Sequence, residues 1–229
     1  MTSRPTTLTG SKRARTRDQL LVSAQTLLME HSAAGLGLRQ ITDHAGVVHA
    51  TFYNYYPDVP ALIADLGELL GATHAAAMSG LGAARLQPDV RFARITRQTL
   101  RLVAQAPGLG RLMFDVGIPP DRLSSELRLR LRQDLVEGQE LGLFSPDDIA
   151  LTTSMIAGAI TGLALDLYRG TLPASAIDTG VARLLMQICV APPEAERLAH
   201  EPLPLPPPTV LPMRWLALPP AGAPSEGRS

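Results

Sequence analysis

Residues 49–56 read HATFYNYY. The whole chain holds four Phe, four Tyr and one Trp, yet Phe52, Tyr53, Tyr55 and Tyr56 fall within five positions. Side chains of this kind bind rather than react. A phenol or hydroxyl donates a hydrogen bond to an oxyanion without bringing a charge, and an Asn amide pairs a donor with an acceptor. Upstream, Lys12, Arg13, Arg15 and Arg17 cluster; such cations grip phosphates. Residues 1–56 set Arg4, Lys12, Arg13, Arg15, Arg17 and Arg39 against only Asp18, Glu30 and Asp43, while the 229-residue chain is formally neutral. The cations are therefore concentrated at one end, and a uniformly basic coat is excluded.

Catalytic signatures are missing. No GxSxG, HExxH, complete GxGxxG or GxxxxGK[ST] occurs, so no enzyme is expected. His31, His44, His49, His74 and His200 show no metal-ligand spacing, and neither a metal nor a cofactor is expected. The lone Cys189 lies in the apolar stretch LLMQICV. It reads as a buried core thiol. The N-terminal stretch has no apolar segment that serves as a signal peptide, and no apolar run approaches the ~20 residues of a membrane span. A cytoplasmic protein is expected.

The elements that must carry these residues are helical. From about Thr16, Leu20, Ala24, Leu27 and Leu28 form an amphipathic stripe that ends near His31–Gly35. Leu38, Ile41 and Ala45 make a second, short stripe between Gly37 as N-cap and Gly46 as a left-handed stop. A third helix is expected over 49–56, only about three residues on. It has Phe52 and Tyr56 inward, and His49, Ala50, Tyr53, Asn54 and Tyr55 outward. Two short helices joined by a tight glycine turn form a helix-turn-helix pattern. Pro57 stops the third helix, and Asp58 caps the next. Further helical patterns run over about 90–105, 120–139, 147–169 and 173–190. Ser145 is the expected cap and Pro146 the expected first-turn residue of the 147–169 helix. The expected division is an arm at 1–11, a head at 12–60, a helical body at 61–192 and a Pro-rich tail at 193–229. Trp215 in that tail hints at docking onto the body.

The stretch LGLRQITDHAGVVHATFYNYYPDVPALIADL resembles the N-terminal domain of TetR/AcrR-type transcriptional regulators. The resemblance rests on Ile41, Ala45-Gly46-Val47, Thr51-Phe52-Tyr53, Tyr55-Tyr56 and Leu62, and covers roughly residues 14–65. It implies an all-α chain. A three-helix DNA-binding head precedes a helical domain for ligand binding and dimerisation. It implies that Thr51, Tyr53 and Tyr55 reach phosphates and that Val48, His49, Ala50 and Asn54 lie nearest the bases. Arg13, Arg15, Arg17 and Arg39 complete the expected DNA-binding set. Val48 stands where the family often has a capping Ser. Val59 stands where it has a phosphate-contacting Lys. The implied partners are a double-stranded operator, a second copy of the chain joined through the last two helices, and a small-molecule effector of unknown identity. Repression relieved by ligand is the expected sign. Phe92, Leu100, Met113, Phe114, Leu131 and Met155 are the expected pocket residues. Arg94, Arg97 and Arg101 read as a solvated face or as an anchor for an acidic group. The alternative is a helical module that keeps the head without operator binding and offers its aromatic face to a protein.

Overall fold

The computed structural model describes residues 11–31, 35–80, 86–116, 118, 120–204 and 210–217. Among these residues ten α-helices and a closing 3-10 turn form, with no strand. The chain is all-α, as expected.

α1 (Lys12–Glu30) starts earlier than its apolar stripe suggests, because Ser11 caps it: the Ser11 hydroxyl accepts from the Ala14 N–H at 3.2 Å. The basic cluster is therefore the first turns of a helix. The expected arm at 1–11 lies, apart from Ser11, outside the described residues. α2 (Leu38–Ala45) opens at Gly37, whose N–H donates to the Gln40 side chain at 2.8 Å. It closes at Gly46, which has φ +67°. That left-handed backbone turns the chain within three residues and suits glycine, which has no Cβ to clash.

α3 (His49–Phe52) is shorter than the 49–56 expected. Tyr53, Asn54 and Tyr55 form turns, with the Tyr55 and Tyr56 amides both donating to the Phe52 carbonyl. Two features account for this. Val48 gives no side-chain cap, and Pro57 pushes the residue before it out of helical backbone. The division of the aromatics is as expected for three of the four; Tyr55, expected to point outward, is half-buried against the head core. Phe52 and Tyr56 are buried with Leu20, Leu21, Leu28 and Ile41, and Tyr53 is 59% exposed.

α4 (Val59–Gly80) is capped by Asp58, which accepts from the Ala61 N–H at 2.8 Å. It runs from the head, where Leu62, Leu66 and Leu70 join the core, into the body, where Met78 does. The body follows as α5 (Pro88–Gln105), α6 (Pro107–Phe114), α7 (Pro120–Glu140), α8 (Ile149–Arg169), α9 (Ala176–Gln187) and α10 (Pro192–His200). α5 is central and packs on α7, α8, α9 and α10.

Several expectations need correction. α8 is capped by Asp148, which accepts from the Ala150 and Leu151 amides. Ser145 and Pro146 precede the helix. α10 occupies the start of the supposed tail. Pro192 and Pro193 sit in its first turn, where a missing N–H costs nothing. Ala195, Leu198 and Ala199 are buried against α9 and α5. Cys189 is exposed. α9 ends at Gln187, and Cys189 takes φ +69°, so its neighbours Ile188 and Val190 turn inward and it turns out.

Arg94, Arg97 and Arg101 form neither a solvated face nor a ligand anchor. Arg97 is 1% exposed; its Nε donates to Asp178 at 3.0 Å and a terminal nitrogen to the Glu201 carbonyl at 2.5 Å. Arg94 pairs with Glu201 at 3.0 Å, and Arg101 reaches the Leu203 carbonyl at 3.4 Å. The three arginines fasten α9 and the segment after α10 to α5.

α6 and α8 touch at a glycine. A Cβ on Gly110 would lie 2.2 Å from the Tyr168 ring. That ring is held by its hydroxyl on Asp115 at 2.5 Å and by stacking on Phe114. Gly110→Ala is expected to lower stability by about 1–3 kcal/mol through overpacking, despite its gain in helix propensity. Urea unfolding of the two proteins measures the difference.

Candidate nucleic-acid interface and effector cavity

On the head, Val48, His49, Ala50, Tyr53 and Asn54 are exposed together, and Thr51 and Tyr55 are half-buried. The His49 ring meets Thr42 Oγ1 at 3.3 Å, which orients it at the edge of the α2–α3 turn. His44 meets Ser23 at 3.0 Å and ties α2 to α1. Arg13 lies over the Tyr55 ring, 5.8 Å from its centroid. An exposed contact of this kind is worth about 0.5–1 kcal/mol. It sets the basic first turn of α1 beside the exposed face of α3. Arg39 pairs with Asp43 at 3.5 Å, both well exposed, so the pair yields readily to a phosphate.

Arg17 is placed differently from the expectation that it belongs to the free basic cluster. It donates to both oxygens of Asp65 at 2.7 and 2.8 Å. The Tyr56 hydroxyl donates to the same carboxylate at 2.5 Å. Burial and then Asp65 push the Tyr56 phenol well above its ordinary range, so it remains a donor. This network joins α1, the end of the turn segment and α4. Arg17 positions the head.

In the body, α4, α5, α6, α7 and α8 enclose a cavity of about 120 Å³. Its walls are mostly apolar: Leu70, Phe92, Ile95, Val103, Met113, Leu127, Leu131, Ile160 and Ala164. Polar groups interrupt them at His74, Thr96, Thr99, Arg130 and Asp134. His74 Nε2 meets Thr99 Oγ1 at 3.1 Å. Asp134 accepts from Arg91 Nε at 2.7 Å; burial pushes its carboxyl above the usual range while Arg91 pulls it back.

Of the six pocket residues expected, Phe92, Met113 and Leu131 line this cavity. The other three do not. Leu100 is buried away from the wall, Phe114 stacks on Tyr168 at 6.0 Å between ring centroids, and Met155 is 59% exposed on the outside of α8. A helical repeat shows which residues share a face; it does not show which neighbour that face meets. The polar groups were not foreseen. Asp134 stood on the Leu127–Leu131–Leu135 stripe, and an acid on an apolar stripe was the available signal.

Burial lowers the His74 pKa from 6.5 to about 4. The unfolded chain takes up this proton near 6.5 and the folded chain only near 4. The resulting stability, at most on the order of 3 kcal/mol, is present above pH 6.5 and is lost as pH falls toward 4. Thermal midpoints measured across this window should fall less steeply in His74→Gln than in the parent protein.

Among the described residues no cluster of three or more His, Cys, Asp or Glu could hold a metal ion. One helix, α8, is long and apolar enough to cross a membrane. Within the chain it packs on α5, α6, α7 and α9 as a wall of the body.

No protein-family model matches the chain, and no curated protein matches it. Solved structures do. RolR in complex with resorcinol superposes with a TM-score of 0.70 at 28% identity, over 86% of this chain and 98% of that one. RolR without ligand gives 0.67, also at 28% identity, over 82% and 98%. A TetR-family regulator from Vibrio parahaemolyticus gives 0.57 at 22% identity, over 76% and 98%; at that identity it shows the shared fold. The helix-turn-helix head, the long α4 and the helical body thus agree with the sequence resemblance: the chain is similar to RolR and shares the fold of TetR-family transcriptional regulators.

Proposed function

We propose that the protein is a repressor that binds a palindromic operator as a homodimer and is released when a single-ring hydroxylated aromatic enters the body. The observation that carries this reading is one chain holding two sites. An exposed His49–Asn54 face stands beside basic turns, and an apolar cavity with a few polar groups lies against the middle of α4. The α3 face fits the major groove, which admits one helix. Asn54 is suited to adenine, Ala50 and Val48 to a thymine methyl, and Thr51, Tyr53 and Tyr55 to phosphates.

Dimerisation is supported by α8. Leu151, Met155, Gly158 and Gly162 lie on one exposed stripe, apolar or small throughout. A second helix can approach such a stripe closely. α9, by contrast, turns Ile177, Val181, Leu184 and Leu185 into its own chain. A two-fold dimer would place two heads on half-sites about one helical turn apart.

The effector class rests on cavity size and polarity. A cavity of about 150 Å³ takes benzene, and the present one is similar, with hydrogen-bonding groups added. RolR was crystallised with resorcinol. Two connections lead from cavity to head. α4 carries Leu70, Gly71 and His74 on the wall and Leu62 and Leu66 in the head core. α6 carries Leu109 and Met113 on the wall, while Leu112 packs into the head core and Arg111 donates to the Leu28 carbonyl at 3.4 Å. A ligand that fits one setting of these helices better than the other shifts the heads.

A second reading, a helical interaction module, is favoured by Val59, half-buried where a Lys would reach phosphate. The purified dimer should be tested on DNA from upstream of its own gene and then on a genomic fragment library, at two salt concentrations. Specific binding that weakens with salt supports the regulator. A folded dimer that binds no fragment supports the interaction module.

A further inference from the structure

Among the polar side chains that α1 buries are Asp18, 4% exposed, and Gln25, 0%. Buried polar groups are costly without partners. Their partners come from the other end of the chain. Gln25 Nε2 donates to the Met213 carbonyl at 2.9 Å, and the Met213 N–H donates to Gln25 Oε1 at 2.8 Å. Asp18 accepts from the Trp215 N–H at 2.8 Å and from the Leu216 N–H at 3.4 Å. Both side chains thus imitate a backbone strand edge for residues 213–216.

The segment also grips the body. The Trp215 indole N–H donates to Thr73 Oγ1 on α4 at 3.0 Å. Leu211 packs into both hydrophobic cores, and a Cβ on Gly108 of α6 would lie 3.1 Å from its side chain. Thr73 is the neighbour of His74 and lies two residues from Gly71, both on the cavity wall. The path from the wall to the head thus runs from α4 through the Trp215 indole and then the Trp215 backbone N–H to Asp18.

We propose that residues 210–217 are a strap that couples the cavity wall to the first helix of the head, with Trp215 as the linking side chain. The strap rests on the regulatory reading above and adds to it a third connection, which leaves α4 at Thr73 and ends on α1. Ligand that displaces α4 at Gly71 and His74 moves Thr73, and the strap carries that movement to α1. Untying the strap leaves the DNA-contacting face intact and blunts the response to ligand.

Trp215 is the only tryptophan, so its fluorescence reports the strap alone. The test uses the full-length protein, Gln25→Ala and Thr73→Val for the contacts, and Trp215→Phe, which keeps an aromatic ring but removes the indole donor. Gln25→Ala and Thr73→Val are expected to raise acrylamide quenching of Trp215 and shift its emission to the red. All three variants should hold operator DNA within about threefold of the parent, yet need about tenfold more resorcinol for release, within the usual range of allosteric coupling. Unchanged quenching in both contact variants overturns the docking. Raised quenching with unchanged release shows an inert cap and overturns the coupling. If the parent complex ignores resorcinol on DNA, the regulatory reading fails with the coupling, while quenching still decides whether the segment docks as described.

Discussion

Replacing Tyr53 by Ala is expected to remove most specific DNA binding while leaving the fold intact. Tyr53 is 59% exposed, and its ring makes an edge-to-face contact with Phe52, 5.7 Å between centroids. The head core is made by Phe52, Tyr56, Ile41 and the α1 leucines, so truncation leaves no cavity. On the DNA side the phenol is proposed to donate to a phosphate and to set the register of α3 in the groove. Losing the hydroxyl and the register together should cost about 1–3 kcal/mol per half-site. The proposed dimer loses this twice, so operator affinity should fall by about thirtyfold or more. Tyr53→Phe, which keeps the ring, should fall between the two. Equal thermal midpoints for the three proteins would place the effect at the interface.

Arg97→Ala is expected to be the most destabilising single change in the body. The guanidinium is buried, joins Asp178 of α9 to the Glu201 carbonyl beyond α10, and arises from the central helix α5. Removing one partner of a buried pair commonly costs 3–5 kcal/mol. Asp178 is partly solvated and stands 3.5 Å from Arg101, so the lower end, about 3 kcal/mol, is expected. Urea unfolding measures it. Arg97→Lys should recover part of the loss, because an ammonium keeps the charge but lacks the planar fork. The proposed DNA-contacting face lies elsewhere, so operator affinity of the folded fraction should be unaffected.

The head was legible in the sequence because its rules are local. Gly37 and Gly46 bound α2, Asp58 caps α4, and Phe52 and Tyr56 recur at helical spacing on the buried side. What failed there was length: Pro57 and the uncapped Val48 shorten α3 to four residues. In the body, the helices were legible but their partners were not. Met155 sits on an apolar helix and faces outward, whereas His74, in an alanine-rich run, faces the cavity. Neither fact is encoded in the periodicity of one helix. The prolines misled most. Pro192 and Pro193 start a helix that completes the core, and the segment beyond it returns to α1. The clue was present in α1 itself. Asp18 and Gln25 adjoin the Leu20–Ala24–Leu28 stripe, and buried polar residues need partners supplied from elsewhere.

A ligand in the cavity is proposed to control the grip of the heads on DNA. This control is tested most directly by titrating resorcinol into the protein–operator complex, beside the variant Ala164→Phe. Ala164 is 2% exposed and lies on the cavity wall, so a phenyl ring there takes the space a single-ring ligand needs. The account predicts that resorcinol releases the parent protein from DNA and leaves the DNA-bound Ala164→Phe complex in place. Release of both proteins at the same concentration would contradict it, because the ligand would then act somewhere other than this cavity.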